Sequence, residues 1–194
     1  MLMLDMCSGL GGASAAMRDR GWEVISIDIE PRFSPDIVAD VRSWSWHGAR
    51  PDLIWCSPPC TEFSRESMPW SRTGRRPDMS IVNACNRIVQ ESAPRYWILE
   101  NVRGAKRYLG RPTAIVGPFY LWGHFPSLGY VRLNYKKESY PGQRPDLRAM
   151  IPYSLSLAVA LAIEQQPALV APGPFNTWTY YGRTGEGGQK WHCI

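Results

Sequence analysis

The stretch LDMCSGLGG at residues 4–12 decides the fold, because an apolar segment runs directly into a glycine-rich turn. Residues 1–6 predict a strand, and residues 13–20 predict the helix that follows the turn. Gly21 comes directly after these residues and is expected to end the helix. Glycines in such a turn let a ligand approach the backbone at the start of a helix. On its own, the pattern is equally typical of a plain strand-to-helix turn, since GxGxxG spacing is incomplete.

The rest of the chain continues the alternation of strand and helix. Further apolar runs predict strands at residues 24–29, 36–41, 52–56 and 95–100. Helices are predicted at residues 78–92 and 151–164. This order predicts an α/β fold, a Rossmann-like doubly wound and mostly parallel sheet. We expect a single catalytic domain over residues 1–166 and a loop-rich tail over 167–194.

Composition excludes several classes of protein. The chain has 194 residues, of which 44% are hydrophobic and 20% charged, which is globular rather than disordered. Its longest apolar stretch, near residue 160, is too short to span a bilayer, and the N-terminus lacks the basic start of a signal peptide. Five cysteines without a CxxC pair suit a reducing cytoplasm, and the scattered histidines predict no metal site.

Acidic residues stand where predicted strands end, which is where open α/β sheets bind ligands. Asp28 follows the glycines by roughly 20 residues, a spacing that suits an acceptor for a ribose diol. A helix N-cap or a solvated strand end explains Asp28 about as well, and the same alternative applies to Asp40.

A more specific pattern is SPPC at residues 57–60. Two consecutive prolines hold the chain rigid and place the Cys60 thiol just beyond a buried strand, as a covalent nucleophile requires. The alternative is an inert buried cysteine, as we expect for Cys85. Glu100 ends the neighbouring strand. Burying a carboxyl group there costs free energy unless the group is ion-paired or has a catalytic role. A salt bridge to Arg103 or Arg95 is the alternative for Glu100.

Basic residues follow both candidate catalytic groups. They are Arg65, Arg72, Arg75 and Arg76 after Cys60, and Arg103, Lys106, Arg107 and Arg111 after Glu100. With a net charge of +5, their position favours contact with a polyanion over a merely solvated face.

Taken together, these segments resemble the DNA cytosine-5 methyltransferases, which use S-adenosyl-L-methionine. The similar segments are LDMCSGLGG (4–12), SIDIEP (26–31), VADV (38–41), PDLIWCSPPCTEFS (51–64), WILENV (97–102) and RAMIPYSLSLAVALAIE (148–164). They occur in the family's order, and PPC with ENV is the most specific part.

The resemblance implies a mechanism in which Cys60 adds to C6 of cytosine and Glu100 hydrogen-bonds or protonates N3. It implies that Asp28 holds the cofactor ribose, Ile29 packs on the adenine and Asp40 accepts from its amino group. The implied cofactor-binding set is Asp5, Cys7, Gly9, Leu10, Gly11, Gly12, Asp28, Ile29, Asp40, Val41 and Pro59. The implied partner is DNA, with candidate contacts at Arg72, Arg75, Arg76, Arg103, Lys106, Arg107 and Arg132.

The chain departs from the family pattern in four places. Cys7 stands where the family usually has Phe, and Ile29 where an aromatic is common. The arginine motif QxRxR has no clear copy, Arg132 being a poor candidate. The closing motif begins with Arg148 instead of the usual Gly-Asn. Only residues 103–147 separate ENV from that motif, so a separate target-recognition domain is essentially absent. Compact members of this family are often encoded by bacteriophages.

Three alternatives stay open. The same machinery could act on a free cytosine nucleotide or transfer a group larger than methyl. The chain could instead be a non-catalytic subunit that binds cofactor or DNA, or pair with a second copy or a partner subunit that supplies recognition. A nicotinamide-dependent oxidoreductase fits the glycines and Asp28 but leaves PPC and ENV unexplained.

Overall fold

A computed structural model describes residues 1–65, 75–133 and 145–167. The strands are β1 (Leu2–Met6), β2 (Glu23–Asp28), β3 (Ile37–Val38), β4 (Leu53–Cys56), β5 (Tyr96–Asn101), β6 (Ala114–Val116) and β7 (Phe119–His124). The helices are α1 (Ala15–Asp19), α2 (Thr61–Ser64), α3 (Ser80–Ser92), α4 (Lys106–Leu109), α5 (Pro145–Ala149) and α6 (Tyr153–Glu164). Short 3₁₀ turns cover Pro31–Phe33 and Arg103–Ala105.

These strands form one sheet in the order β3-β2-β1-β4-β5-β7-β6. Strands β1 to β5 pair in parallel, whereas β7 is antiparallel to both β5 and β6. The order reverses between β1 and β4, which creates the crevice where such sheets bind ligands. The predicted Rossmann-like, mostly parallel sheet is confirmed.

Apolar residues fill both faces of the sheet, because alternate side chains along each strand point to opposite sides. Met3 and Trp55 pack with α1 and α6 on one face. Leu4 and Ile54 pack with α3 on the other face. Burial on both sides explains why β1 and β4 read as continuous apolar runs.

Several predicted boundaries need correction. The strand predicted at 36–41 is only Ile37–Val38. The flanking carboxylates accept other hydrogen bonds: Asp36 from the Ser26 N–H, and Asp40 from the Arg42 guanidinium. The helix predicted at 13–20 is shortened to Ala15–Asp19. The helix predicted at 151–164 begins at Tyr153, with Pro152 as its N-cap.

Two further strands lie between ENV and the closing segment: β6 at Ala114–Val116 and β7 at Phe119–His124. The predicted tail lies outside the described residues, apart from Pro167.

One stretch, Asp146–Glu164, has the length and apolar composition of a membrane-spanning helix. The structure divides this stretch into α5 and α6. Leu155, Val159 and Ile163 of α6 are fully buried in the core, so the apolar character of α6 has an explanation inside the fold.

Candidate active site

Cys60 lies where the chain turns from β4 into α2. After Cys56 the segment Ser57–Pro59 carries the chain out of the sheet, and Cys60 directly precedes α2. The backbone N–H groups of Phe63 and Ser64 donate to the Cys60 carbonyl at 3.1 and 2.8 Å. Phe63 is buried, so the short helix is anchored and the half-buried thiol has a defined position.

The segment that carries Cys60 is tied to the end of β5. The Asn101 side chain donates to the Pro58 carbonyl at 2.9 Å and accepts from the Val102 N–H at 2.9 Å, and it is buried. Gly104 adds a second contact: a Cβ there would lie 2.2 Å from the Phe63 carbonyl oxygen. Sequence reasoning assigned neither residue a role, although both lie in or beside ENV.

Glu100 lies near the carboxyl end of β5, between β4 and β7. Loss of solvent around it raises the pKa of Glu100 to about 8, because burial disfavours the charged form. Among the described residues it forms no ion pair, so the salt bridges to Arg103 or Arg95 are not observed there. At pH 7 Glu100 is therefore mostly neutral and can donate a hydrogen bond.

Cys60 and Glu100 are electrostatic neighbours. Burial raises the pKa of the Cys60 thiol, and the Glu100 charge acts in the same direction, while a hydrogen bond with Ser64 opposes them. Neither group is predominantly charged at neutral pH. The site thus pairs a protonated thiol with a carboxylic acid at the ends of adjacent parallel strands.

Asp28 holds the glycine turn in addition to facing the ligand edge. Its carboxylate accepts the Gly9 N–H at 2.8 Å and the Glu30 N–H at 2.9 Å. Gly9 and Gly11 have φ of +51° and +72°, a conformation that side chains disfavour. The turn is therefore fixed by Asp28, which leaves its remaining lone pairs for a ligand.

Gly12 meets protein where the resemblance implied the cofactor. A Cβ at Gly12 would lie 2.5 Å from the Ile151 carbonyl oxygen and 2.7 Å from Cγ of Met150. The closing segment thus packs directly on the turn. Gly12 is needed for that approach, whereas a Cβ at Gly9 would meet nothing within 4 Å.

Asp5 is fully buried beneath the turn. Neither of its carboxylate oxygens has a hydrogen-bond partner among the described residues. Burial raises the pKa of Asp5 to about 7, although the nearby Ser14 hydroxyl opposes the shift. A buried carboxyl is costly unless it is compensated, and the Ser14 hydroxyl is the polar neighbour that opposes the cost here.

The other predicted cofactor residues line the same edge. Asp40 forms an ion pair with Arg42, at 2.6 Å between Oδ2 and Nη2. Val41 is buried, and Cys7 is half-buried with φ of +57°. Two apolar side chains, Leu10 and Ile29, remain exposed at this edge, and Ile29 is 56% exposed.

Several of the predicted DNA-contacting side chains are exposed. They are Arg75, Arg76, Arg103, Lys106, Arg107 and Arg132, whereas Arg72 lies outside the described residues. The Arg103–Ala105 turn packs against α2, which places Arg103 near the Cys60 segment. The described part of the chain holds no group of three His, Cys, Asp or Glu side chains that could bind a metal.

The strand order, the glycine turn and the acidic strand ends define the class of the S-adenosylmethionine-dependent methyltransferase fold. The sequence profile of the C-5 cytosine-specific DNA methylase family matches residues 1–110. The chain therefore belongs to the C-5 cytosine-specific DNA methylase family. No curated protein gives a significant match.

Several solved structures are similar to the chain. An E. coli prophage protein described as a DNA modification methyltransferase is 21% identical over 54% of this chain and 33% of its own, with a TM-score of 0.41. The S. pombe Dnmt2 methyltransferase is 19% identical over 55% of this chain and 38% of its own, with a TM-score of 0.40. For the Entamoeba histolytica methyltransferase EhMeth the identity is 16%, the coverage 72% and 57%, and the TM-score 0.40. The chain thus spans about a third of the length of the first two.

Proposed function

We propose that the chain catalyses S-adenosylmethionine-dependent methylation of cytosine at C5 in DNA through a covalent adduct on Cys60. The observation that supports it best is the neutral Glu100 beside the Cys60 thiol, with Asn101 bonded to Pro58 between them. A thiol for addition and an acid for the ring nitrogen are the two groups that this reaction requires.

The residues at the sheet edge fit S-adenosyl-L-methionine. Asp28 offers acceptor lone pairs to the ribose, and Asp5 lies buried directly beneath the glycine turn that would receive the methionine end. The exposed Ile29 and Leu10 offer apolar contact to the adenine, with Asp40 as acceptor for its amino group. When bound, the cofactor supplies an electrophilic methyl group for C5.

The chain's own groups activate the cytosine. The Cys60 sulfur bonds to C6 as its thiol proton passes to solvent water, and the ring electrons move toward N3. Glu100 donates a hydrogen bond or its proton at N3, which stabilises the negative charge that develops there. After C5 has gained the methyl group, solvent water takes the C5 proton, the S–C6 bond breaks and the C5–C6 double bond is restored. Cys60 leaves as a thiolate that is reprotonated from solvent, and any proton given to N3 returns to Glu100.

DNA is the partner that the basic loops favour, and a duplex cytosine would have to leave the stack to reach Cys60. Recognition by a second copy or by a partner subunit is part of the proposal, because few residues separate ENV from the closing segment. The same short separation makes a free cytosine nucleotide the second candidate substrate.

Mass spectrometry of nucleosides tests the proposal. DNA and free dCMP are incubated separately with enzyme and S-adenosylmethionine, and 5-methylcytosine is expected in the DNA arm. Product in the dCMP arm alone would favour the nucleotide substrate. A heavier C5 substituent would identify another donor group, and no modified base in either arm would contradict the proposed activity.

Substitution of the nucleophile tests the covalent step. Cys60→Ser is expected to abolish turnover while cofactor affinity stays unchanged, because a serine hydroxyl is a poor nucleophile toward C6 without a base. The matched control is Cys85→Ala, which removes a buried thiol of α3 whose sulfur neighbours are Cys56 and Cys7 rather than Cys60. Full activity of Cys60→Ser would refute the covalent mechanism.

A further inference from the structure

Arg87 joins helix α3 to the segment that follows β3. Its Nη2 donates to the Val41 carbonyl at 3.0 Å and to the Trp44 carbonyl at 2.6 Å. Its Nη1 donates to the Ser45 hydroxyl at 2.8 Å. Glu91, one turn along the helix, accepts from Nη1 at 2.8 Å and orients the guanidinium.

The segment that Arg87 holds has few backbone hydrogen bonds of its own. Backbone bonds fix its start through Ala39 and Ser43, but residues 44–50 make no backbone–backbone hydrogen bond to the described part of the chain. The rings of Trp44 and Trp46, 6.3 Å apart, pack partly against the core. Arg87 therefore replaces the ladder bonds that a longer β3 would have supplied.

This segment begins with Asp40 and Val41, at the adenine side of the cofactor site. The Val41 carbonyl accepts a hydrogen bond from Arg87, and the Val41 side chain is buried. These two contacts restrain the backbone next to Asp40. Release of that carbonyl would free Asp40 to move with its exposed partner Arg42.

We propose that Arg87 is a positioning residue for the methyl donor: it fixes the Asp40–Val41 backbone and thereby sets cofactor affinity. The inference rests on the proposed function, since it takes the adenine side of the site from there. Arg87 acts through Asp40, so its loss affects binding of the donor and not the chemistry at Cys60.

Calorimetry with S-adenosylhomocysteine tests the inference in full-length Arg87→Met, which keeps most of the side-chain stem. The dissociation constant is expected to rise about tenfold or more, because three hydrogen bonds from a charged donor are lost. The turnover number at saturating S-adenosylmethionine is expected to stay unchanged. Hydrogen exchange of residues 41–46 in the wild-type protein should slow when S-adenosylhomocysteine is bound.

The matched control is Arg20→Met. Arg20 has nearly the same side-chain exposure, 36% against 35% for Arg87, and pairs with Glu164 away from the cofactor edge. A purely structural arginine lowers the melting temperature without changing the dissociation constant, and that is the result expected for Arg20→Met.

Wild-type affinity in Arg87→Met would overturn the inference and leave the proposed function intact. Absence of S-adenosylhomocysteine binding by the wild-type protein would overturn both. Should Arg87→Met fail to fold, Arg87→Lys decides by the same criterion, because lysine keeps the charge but lacks the fork that spans both carbonyls.

Discussion

Glu100 makes the stability of the protein depend on pH. Its pKa is raised from 4.5 to about 8 in the folded state, so the folded state binds more protons than the unfolded chain between these values. Stability contributed by the neutral carboxyl is complete near pH 4.5 and is lost as the pH rises toward 8. The loss is at most about 1.4 kcal/mol per pH unit.

We therefore predict that Glu100→Gln flattens the decline in stability between pH 5 and pH 8. Denaturant unfolding at several pH values measures the effect as the difference from wild type, which removes the similar contribution of Asp5. Glu23→Gln, at an exposed position of β2, serves as the control. A wild-type-like decline in Glu100→Gln would show that Glu100 ionises normally.

We expect Asp28 both to hold the glycine turn and to contribute to cofactor binding. Asp28→Ala removes the acceptor for the Gly9 N–H and any bond to the ribose, so we predict about tenfold or more weaker cofactor binding together with lower stability. Asp28→Asn keeps one carbonyl oxygen and should recover part of both. Calorimetry and thermal unfolding check this pair, and unchanged affinity in Asp28→Ala would remove the residue from the site.

At the scale of elements, the close approach of the Arg103–Ala105 turn to α2 helps to determine where Cys60 lies. We predict that Gly104→Ala lowers the turnover number about tenfold to a hundredfold, because the added Cβ must displace the Phe63 backbone of the helix next to Cys60. Cofactor affinity should be unchanged, since the cofactor edge lies across the crevice. Steady-state kinetics and calorimetry measure the two quantities, and equal loss in both would indicate general disruption.

The sequence predicts the elements that burial dictates and misses those that tertiary contacts dictate. β1, β2, β4 and β5 are apolar runs, and their order along the chain implied a parallel sheet. β6 has only three residues before the Gly117–Pro118 turn, so periodicity could not reveal it. The contact of Gly12 with Ile151 and the bond from Asn101 to Pro58 depend on how distant segments meet, which local patterns do not encode.

At the scale of the molecule, the exposed basic loops lead to a prediction about recognition. Because only residues 103–147 separate ENV from the closing segment, we expect few side chains to contact base edges. Binding to DNA should then rely on phosphates, with little sequence preference and a strong dependence on salt. Arg75→Ala with Arg76→Ala should weaken binding about equally across sequences and reduce the slope against salt by about 2. Titrations at several salt concentrations test this, and a strict site of four or more base pairs in a methylation map would contradict it.

The packing of the closing segment on the glycine turn also bears on how the protein is made. Ser156 donates to the Ala13 carbonyl and accepts from the Ala16 N–H, and Ile151 lies against Gly12, so the start of the chain is completed by residues about 140 positions later. A nascent chain on the ribosome therefore cannot complete the packing around its glycine turn until α6 has left the exit tunnel. Synthesis and closure of the turn are thus ordered in time.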